Sequence, residues 1–554
     1  MAAGQARSSP GWRDRLAAMV FASPLYRLTL RAEPPQRLLR VPPPPWPGDA
    51  ERGQAILAGR FVCAGQPVDA EKPDWHDQRL SEAALAELHG FGYLDDLAST
   101  GGEAAQLRAR ALIAGWLDAE RGWHPVISDP EIAGRRIASW LSHATFIARG
   151  QDDELGPRIL ASLTTQLRHL ARVAGRSREG LSRLIAIRGV VYGSLCGLDD
   201  ERSAAGAFKL LRRELRRQIL ADGGHIERSP LTHLCALAVL VDLRDMALDS
   251  DQAVPGELAA TIGRMAAMLR FFRHGDGGLP LFNGTDERGT ALVDAVLLRT
   301  GVKGKPADSA PQMGFQRLAA GRALVFVDVG APPPAGFDSN AHAGALSFEM
   351  SWGPERIVVN CGAAPSREPA WRTAQRASAA HSTLVVDDTN SAEILAAGGI
   401  GRRPEHVECV REEDSGNLWI TTSQDGYKAL FGLVHQRRLY LSRDGDDLRG
   451  EDSLSGPHTG SFAVRFHLHP DVQVSVIQNG AAALLRAPSG TAWRFIASGG
   501  KIELAETVYL GRRGEPRRSE QIVVTGPVSH GAAVKWAFRR ITKAQPSGQA
   551  AEQG

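Results

Sequence analysis

The sequence lacks any arrangement of cysteines that is typical of a disulfide framework or a thiolate zinc site. Its five cysteines are scattered over 554 residues, odd in number and without a Cys-x-x-Cys pair. Long apolar runs are also missing, since no stretch approaches the roughly 18 to 20 apolar residues of a membrane span. The short run Leu16 to Ala22 is followed at once by Ser23-Pro24. We therefore interpret it as an amphipathic helix, with no clear signal peptide.

An excess of charge of one sign is absent as well. The net charge of +3 is close to neutral for this length, which argues against a nucleic-acid-binding protein with a dominant basic face. A local basic cleft for an acidic substrate remains compatible with it. The length exceeds that of one hydrophobic core and predicts two domains.

The first half of the chain has helical periodicity. Apolar residues recur at spacings of three and four, which predicts antiparallel helices joined by short turns. The predicted segments are 104–119, 131–149, 156–173, 181–196, 202–221, 231–248 and 255–272. Such an array can close as a toroid, a bundle or a solenoid, and the number of helices does not distinguish them.

The second half changes to short alternating runs separated by turns rich in Gly and Asp. These runs predict an antiparallel β-sandwich. They cover 323–329, 346–352, 357–361, 383–386, 418–422, 438–441, 463–469, 482–485 and 522–525. The predicted organisation is an amphipathic and Pro-rich segment at 1–48, a helical domain at 49–300, a linker at 301–314, a sandwich at 315–542 and a disordered tail at 543–554.

Polar residues that could bind a metal or transfer a proton lie at the start of the predicted sandwich. Asn340 and His342 precede a run in which Leu346, Phe348, Met350 and Trp352 alternate with polar residues. Residues at i and i+2 share a strand face, so an extended chain reaching back to 340 would project Asn340 and His342 together. A returning strand would bring Asn360 towards His342, and His381 would open a third strand.

This segment resembles the heparinase II/III-like C-terminal domain of polysaccharide lyases. The signature of that domain is His-x-His-x-Asp before Leu-Ser-Phe, then Asp-x-Gly, then His-Asn-Thr-Leu. The corresponding residues here are Asn340-Ala-His342-Ala-Gly344 before Leu-Ser-Phe, then Asn360-Cys-Gly362, then His381-Ser-Thr-Leu384. The resemblance favours an incomplete α/α toroid for the helical domain, and hence a multidomain α+β fold of toroid followed by antiparallel β-sandwich.

The resemblance also implies a metal site at His342, Asn360 and His381, with zinc as the predicted cofactor. Because Asn360 replaces the ligating Asp of the family, this set would bind zinc more weakly. The alternative is that His342 and His381 form hydrogen bonds that support the domain interface.

Two helical-domain motifs carry the remaining family residues. In Asp222-Gly-Gly-His225-Ile-Glu227-Arg228-Ser-Pro-Leu-Thr232-His233, Thr232 replaces the tyrosine that serves the lyases as acid and base. In Gly180-Leu-Ser-Arg183-Leu, Leu181 and Ser182 replace the Asn and His that neutralise the uronate carboxylate and assist proton transfer, while Arg183 is kept. Each motif has a structural alternative, which is a capping and salt-bridge cluster for the first and a surface ion pair for Arg183.

These replacements mean that the family mechanism cannot operate unchanged. The predicted substitutes and binding residues divide into two groups. The predicted catalytic residues are His225, Arg183, Tyr427 and Asn340. The predicted substrate-binding residues are Glu227, Arg228, His233, Asn283, Arg136 and Trp140. Structural roles are the alternative for Tyr427 as a strand residue, Asn283 as a turn cap, and Arg136 with Trp140 as a helix face.

The leading functional prediction is a lyase that cleaves an acidic polysaccharide by β-elimination. The alternatives are a saccharide-binding or envelope-assembly protein that kept the fold, and a glycan hydrolase that uses Glu227 with a second carboxylate. The predicted partner is an acidic polysaccharide, without nucleic acid or a transmembrane segment, and a homodimer is considered. The family resemblance predicts the cell envelope or periplasm, with the cytoplasm as the alternative.

Overall fold

The computed structural model describes residues 12–120, 123–148, 154–199, 201–287, 290–364, 369–396, 398–512, 516–529 and 531–541. The predicted tail 543–554 lies outside these residues. Within them, no helix combines the length and the apolar character needed to cross a bilayer.

The first part of the chain is helical, as predicted. A two-stranded hairpin, β1 (Phe61–Cys63) and β2 (Gln66–Val68), interrupts it. The helices are α1 Trp12–Ala22, α2 Pro24–Leu30, α3 Ala50–Leu57, α4 Glu82–Gly90, α5 Tyr93–Thr100, α6 Gly102–Ala119, α7 Pro130–Ser142, α8 Ala144–Ala148, α9 Leu155–Val173, α10 Leu181–Leu195, α11 Glu201–Gln218, α12 Pro230–Asp249, α13 Gly256–Phe271 and α14 Thr290–Thr300.

The helix α10 is central to this domain, because almost all of its side chains are buried. It packs against α7, α9, α11 and α12. Glycines allow the closest approach, since a Cβ on Gly189 would lie 2.4 Å from the Cα of Gly134 in α7. The two family motifs of this domain lie at the N-terminal end of α10 and in the loop that leads into α12.

The second part is an antiparallel β-sandwich. One sheet has the strand order β17-β18-β13-β7-β6-β5-β4-β3, with β8 also paired to β13, and the other has the order β14-β15-β16-β19-β12-β11-β10-β9. The strands are β3 Ser309–Ala310, β4 Phe315–Ala320, β5 Ala323–Asp328, β6 Phe348–Trp352, β7 Glu355–Val359, β8 Leu384–Val386, β9 Val407–Asp414, β10 Asn417–Gln424, β11 Val434–Leu441, β12 Asp447–Ser455, β13 Gly460–Leu468, β14 Gln473–Ile477, β15 Ala482–Arg486, β16 Ala492–Ser498, β17 Lys501–Tyr509, β18 Arg517–Val528 and β19 Ala533–Arg540; short helices α15 (Pro369–Ala374) and α16 (Lys428–Phe431) lie between them.

The predicted fold class, a helical domain followed by an antiparallel sandwich, is confirmed. The predicted linker 301–314 is not wholly irregular, because Ser309–Ala310 forms β3 and pairs with β4. The sandwich core joins both sheets, as the parallel rings of Phe348 and Trp536 show, with centroids 5.4 Å apart.

The strand β6 is buried on both faces. Phe348, Met350 and Trp352 point into the sandwich core. On the opposite face, Ser351 and Glu349 contact His274 of the helical domain, at 2.8 and 3.1 Å. The polar positions of this alternating strand therefore form part of the interface between the domains.

Candidate functional site

The loop between α11 and α12 forms one wall of the candidate site, at the mouth of a helix. Ser229 caps α12 by accepting a hydrogen bond from the Thr232 amide, and Pro230 occupies the first turn. His225 is fully buried. Its Nε2 lies 3.1 Å from the Gln218 amide oxygen, and its Nδ1 accepts from the Glu227 amide. Burial lowers the pKa of His225 to about 3, so this imidazole is neutral and both of its nitrogens are occupied.

Glu227 is a buried carboxyl that bridges two of the family motifs. Its Oε1 accepts from the Leu181 amide at 3.2 Å, and its Oε2 lies 3.5 Å from the Thr232 hydroxyl. Gly180 makes this approach possible, because a Cβ there would lie 1.9 Å from Oε1 and its φ is +78°. Burial raises the pKa of Glu227 to about 7.

Arg228 connects the helical domain to the sandwich. Its guanidinium donates to the carbonyls of Met313, Gly314, Gly330 and Ala331. It also forms a buried ion pair with Asp328. Because these partners all belong to the sandwich side of the chain, Arg228 acts as an interdomain clamp in this structure.

The N-terminal turn of α10 brings a second carboxylate to the site. The Ser182 hydroxyl donates to Glu131 at 2.6 Å, and Glu131 also pairs with Arg135 and Arg178. Burial opposes ionisation of Glu131, but the two arginines and Ser182 outweigh it and lower its pKa to about 2. Sequence reasoning missed Glu131, whose only local signal is its place in the first turn after the cap Asp129.

Arg183 points away from this wall. Its guanidinium donates to the Ser177 carbonyl at 2.8 Å and to Glu214 at 3.2 Å, and the side chain is buried. An ion pair is therefore present, but it is buried and not at the surface as the alternative from the sequence expected.

The opposite wall contains a histidine pair. The Nδ1 of His381 lies 2.7 Å from the Ala377 carbonyl, so it donates, and its Nε2 accepts from Nδ1 of His342 at 3.0 Å. The ring of His381 occupies the space beside Gly344, where an added Cβ would lie 2.7 Å from it. The family aspartate at this position would collide with the ring in this arrangement.

Asn283 ties the two walls together. Its side chain donates to the Arg228 carbonyl at 2.9 Å and accepts from the His342 amide at 3.0 Å. Half-buried Asn340 lies beside the neighbouring Gly284, about 3.4 Å from where a Cβ would be. Residues 340–347 form a loop rather than an extension of β6, so the predicted shared strand face of Asn340 and His342 is not observed.

The side chain of Asn360 forms its hydrogen bonds with residues other than the two histidines. Its amide oxygen accepts from the Ser382 amide at 2.9 Å, and its amide nitrogen lies 3.3 Å from Glu349. Zinc binding by His342, Asn360 and His381 would require this contact and the bond between the histidines to break. In the described ranges, no group of three or more His, Cys, Asp or Glu side chains could hold a metal ion. These residues do not fit zinc as arranged.

Four further predicted residues are buried in the described structure. Tyr427 donates to the Leu384 carbonyl in the sandwich, and His233 lies 2.9 Å from the Met265 carbonyl. Arg136 donates to Gln166 and to two backbone carbonyls, and Trp140 packs edge-on against Phe91 and Trp116. Because these side chains do not reach a surface, we assign them structural roles.

Comparison with known proteins identifies the family to which this architecture belongs. Residues 302–537 match the family described as heparinase II/III-like, C-terminal. FtsZ-localized protein C from Caulobacter vibrioides is 32% identical to the chain, over 95% of this chain and 93% of that protein. The chain belongs to the heparinase II/III-like family.

Solved structures support the same fold. Heparinase III aligns with a TM-score of 0.70 at 13% identity, over 95% of this chain and 89% of that one. A mutant of the heparan sulfate lyase HepC from Pedobacter heparinus aligns with a TM-score of 0.60 at 15% identity, over 89% and 83% of the two chains. These identities are low, so the likeness concerns the fold.

In this heparinase II/III-like protein, Thr232 and Ser182 occupy the motif positions of the lyase tyrosine and histidine. Their hydroxyls face Glu227 and Glu131. The site therefore combines two carboxyl groups on the helical side with a histidine pair on the sandwich side.

The Glu227→Gln variant is expected to lose part of the pH dependence of folding stability. The Glu227 pKa is about 7 in the folded state and 4.5 as its ordinary value. Between those values the folded state keeps a proton that the unfolded state releases, so stability falls as pH rises. The free energy of unfolding of Glu227→Gln minus that of the wild type should therefore be about 2–3 kcal/mol larger at pH 8 than at pH 5.

Urea unfolding at both pH values measures this difference. Glu506→Gln is the matched control, because Glu506 is largely exposed. Equal shifts for the two variants would show that Glu227 titrates normally.

Proposed function

We propose that this protein is a heparinase II/III-like protein without β-elimination activity that works as a binding and assembly protein. The proposal rests on the residues found at the two positions where the lyases have their tyrosine and histidine. Thr232 and Ser182 do not titrate near neutral pH, and their hydroxyls face buried carboxyl groups. His225 is neutral and occupied by Gln218 and Glu227. This arrangement favours the second prediction from the sequence over the leading one.

Incubation with a panel of uronate polymers tests the loss of chemistry. We expect no rise in ultraviolet absorbance from an unsaturated product, while a known lyase run in parallel produces one. Absorbance that disappears in the His342→Ala variant would establish lyase activity. Release of reducing ends without absorbance would favour hydrolysis by Glu227 and Glu131.

The saccharide-binding part of the proposal concerns the acidic polysaccharide predicted from the family. Arg178 lies near the surface of the site and pairs with Glu131. Calorimetry with the same polymers measures binding, and we expect binding without cleavage. Metal analysis of the purified protein tests the zinc prediction for His342, Asn360 and His381.

Assembly is proposed from the relative that is named for its localisation to FtsZ. Because that relative aligns over 95% of this chain, we propose that this protein also localises with FtsZ. Sedimentation with polymerised FtsZ, compared with unpolymerised FtsZ, tests the association. A protein that stays in the supernatant in both cases would contradict it. Imaging of a fluorescent fusion beside FtsZ decides between the envelope and the cytoplasm.

A second function, attachment to a membrane surface, is favoured by the N-terminal helical hairpin α1–α2. One side of the hairpin packs on α9, where the rings of Phe21 and Tyr26 lie 5.2 and 5.8 Å from that of His169. The other side leaves five large apolar side chains exposed within residues 16–28. They are Leu16, Met19, Val20, Leu25 and Leu28, with exposed fractions of 49–75%.

Basic residues accompany this apolar side. Arg27, Arg31, Arg172 and Arg176 are exposed on α2, directly after it, and on and after α9. Exposed apolar side chains near arginines are typical of a segment that lies in the interface of an anionic bilayer. We propose that the hairpin docks on such a bilayer without spanning it.

A further inference from the structure

A groove on the outward face of the sandwich contains charged side chains that the candidate site does not use. Its volume is about 680 Å³, which is within the usual size of a small-ligand site. Residues of β8, β13, β17 and β18, together with the turn after β8, line it. All four strands lie entirely within the described residues.

Strand alternation determines which side chains form the floor of this groove. Val464 and Val524 belong to the sandwich core, so their neighbours in sequence face the opposite side of the sheet. Those neighbours are Ala463 and Arg465 on β13 and Val523 on β18, where Val523 is paired directly with Arg465. Small apolar side chains therefore lie beside one guanidinium group.

Arg465 is a half-buried arginine with few partners of its own. Its Nη1 donates to the Gln521 amide oxygen at 3.3 Å, and its Nε has no hydrogen-bond partner in the described structure. Burial lowers the pKa of this guanidinium, and the charge of Asp388 only partly opposes that effect. Arg437, which is buried in the same domain, instead forms an ion pair with Asp452. Arg465 therefore has donors available for an anionic group.

Asp388 supplies an available carboxylate at the edge of the same groove. Two further carboxylates line the groove, but each already has a partner. Asp387 lies 2.7 Å from Nε2 of His458, and Glu503 lies 2.6 Å from Nζ of Lys501. Asp388 is exposed, and no cation of the described residues lies within ion-pair distance of it. The groove thus presents one cation and one carboxylate that do not pair with each other.

We infer that this groove binds a short zwitterionic peptide, with the terminal carboxylate of the peptide on Arg465 and its terminal ammonium group on Asp388. A ligand that carries both charges can meet both side chains at once, and a carboxylate matches the planar guanidinium. The small apolar lining residues Val385, Ala463 and Val523 suit a peptide with small side chains. None of these residues belongs to the candidate site, so peptide binding here is independent of the cleft and of any lyase activity.

Calorimetry with trialanine measures this binding. We expect the wild type to bind trialanine about tenfold more tightly than N-acetyl-trialanine or trialanine amide, because each of these lacks one terminal charge. Alanine distinguishes a peptide from a free amino acid, which carries the same two charges closer together. Alanine binding as tight as that of trialanine would overturn the peptide and assign the groove to an amino acid. Absence of trialanine binding would overturn the site itself.

Two variants assign each charge of the ligand to its side chain. Arg465→Gln should weaken trialanine binding about tenfold but leave the binding of trialanine amide unchanged, because the amide has no carboxylate. Asp388→Asn should weaken trialanine binding but leave that of N-acetyl-trialanine unchanged. Asn tolerates the φ of +50° at this position, so the turn is kept.

Arg438→Gln is the matched control for these variants. Arg438 is an exposed arginine on β11 of the other sheet, so its replacement should leave trialanine binding as in the wild type. Equal trialanine binding by the Arg465, Asp388 and Arg438 variants would overturn the inference.

Discussion

Replacing Arg228 with alanine is expected to lower the free energy of unfolding by roughly 3–5 kcal/mol. The variant removes donors to four backbone carbonyls and leaves Asp328 as a buried carboxylate without its cation. Burial already raises the pKa of Asp328, and Arg228 opposes that rise. Loss of the clamp also weakens the interface between the domains, so we expect them to unfold in separate transitions.

Urea unfolding followed by circular dichroism and tryptophan fluorescence measures this effect. Arg449→Ala is the matched control, because Arg449 pairs with Asp447 at the surface and is about half exposed. Exposed pairs of this kind contribute about 1 kcal/mol or less. A loss of that small size for Arg228→Ala would show that the clamp does not hold the domains together. Arg228→Lys keeps the charge without the planar fork, and we expect an intermediate loss.

The second large effect concerns the hairpin. Replacing Leu16, Met19, Leu25 and Leu28 with serine is expected to weaken binding to anionic vesicles by at least about 100-fold. Each buried apolar side chain contributes about 1.5 kcal/mol or more to transfer out of water, so partial insertion of four accounts for this change. Vesicle flotation measures the bound fraction, and binding by the wild type should weaken as salt increases.

The helical domain supplies a matched control for this variant. Leu107, Leu248 and Leu298 are also leucines with exposed fractions of 59%, 57% and 81%, but they lie on α6, α12 and α14. Their replacement with serine should leave vesicle binding unchanged. Similar losses in both sets would indicate nonspecific adhesion, and unchanged binding in the hairpin variant would contradict the membrane proposal.

Local pattern was sufficient for most of the secondary structure. The three- and four-residue spacing in 156–173 predicts the helix observed as α9, and the alternation at 346–352 predicts the strand observed as β6. Both patterns reflect which side of an element is buried, and neighbours in sequence encode that directly. The alternation did not reveal that the polar face of β6 is buried too, because Glu349 meets His274 from a distant part of the chain.

The candidate site was less accessible to sequence reasoning. The motif letters located the loop at 222–233 and the pair His342 and His381, which the structure joins through Asn283. They did not show that Arg183 is directed to Glu214, or that Arg136 is enclosed by Gln166 and backbone carbonyls. A buried arginine and a substrate-binding arginine have the same letter, and only their surroundings differ.

The sequence by itself determined the family, the order of the two domains and the replacement of the lyase tyrosine, asparagine and histidine by Thr232, Leu181 and Ser182, because residue identity at a motif position is a property of the chain alone. The tertiary structure decided which of the remaining polar side chains lie together at the candidate site. Glu131 and Glu227 reach the neighbouring residues Ser182 and Leu181 only through the packing of α7, α10 and the loop before α12. The exposure of apolar side chains on α1–α2 depends in the same way on how the hairpin packs on α9. Burial and the convergence of charges arise from contacts between distant segments, which no local pattern specifies.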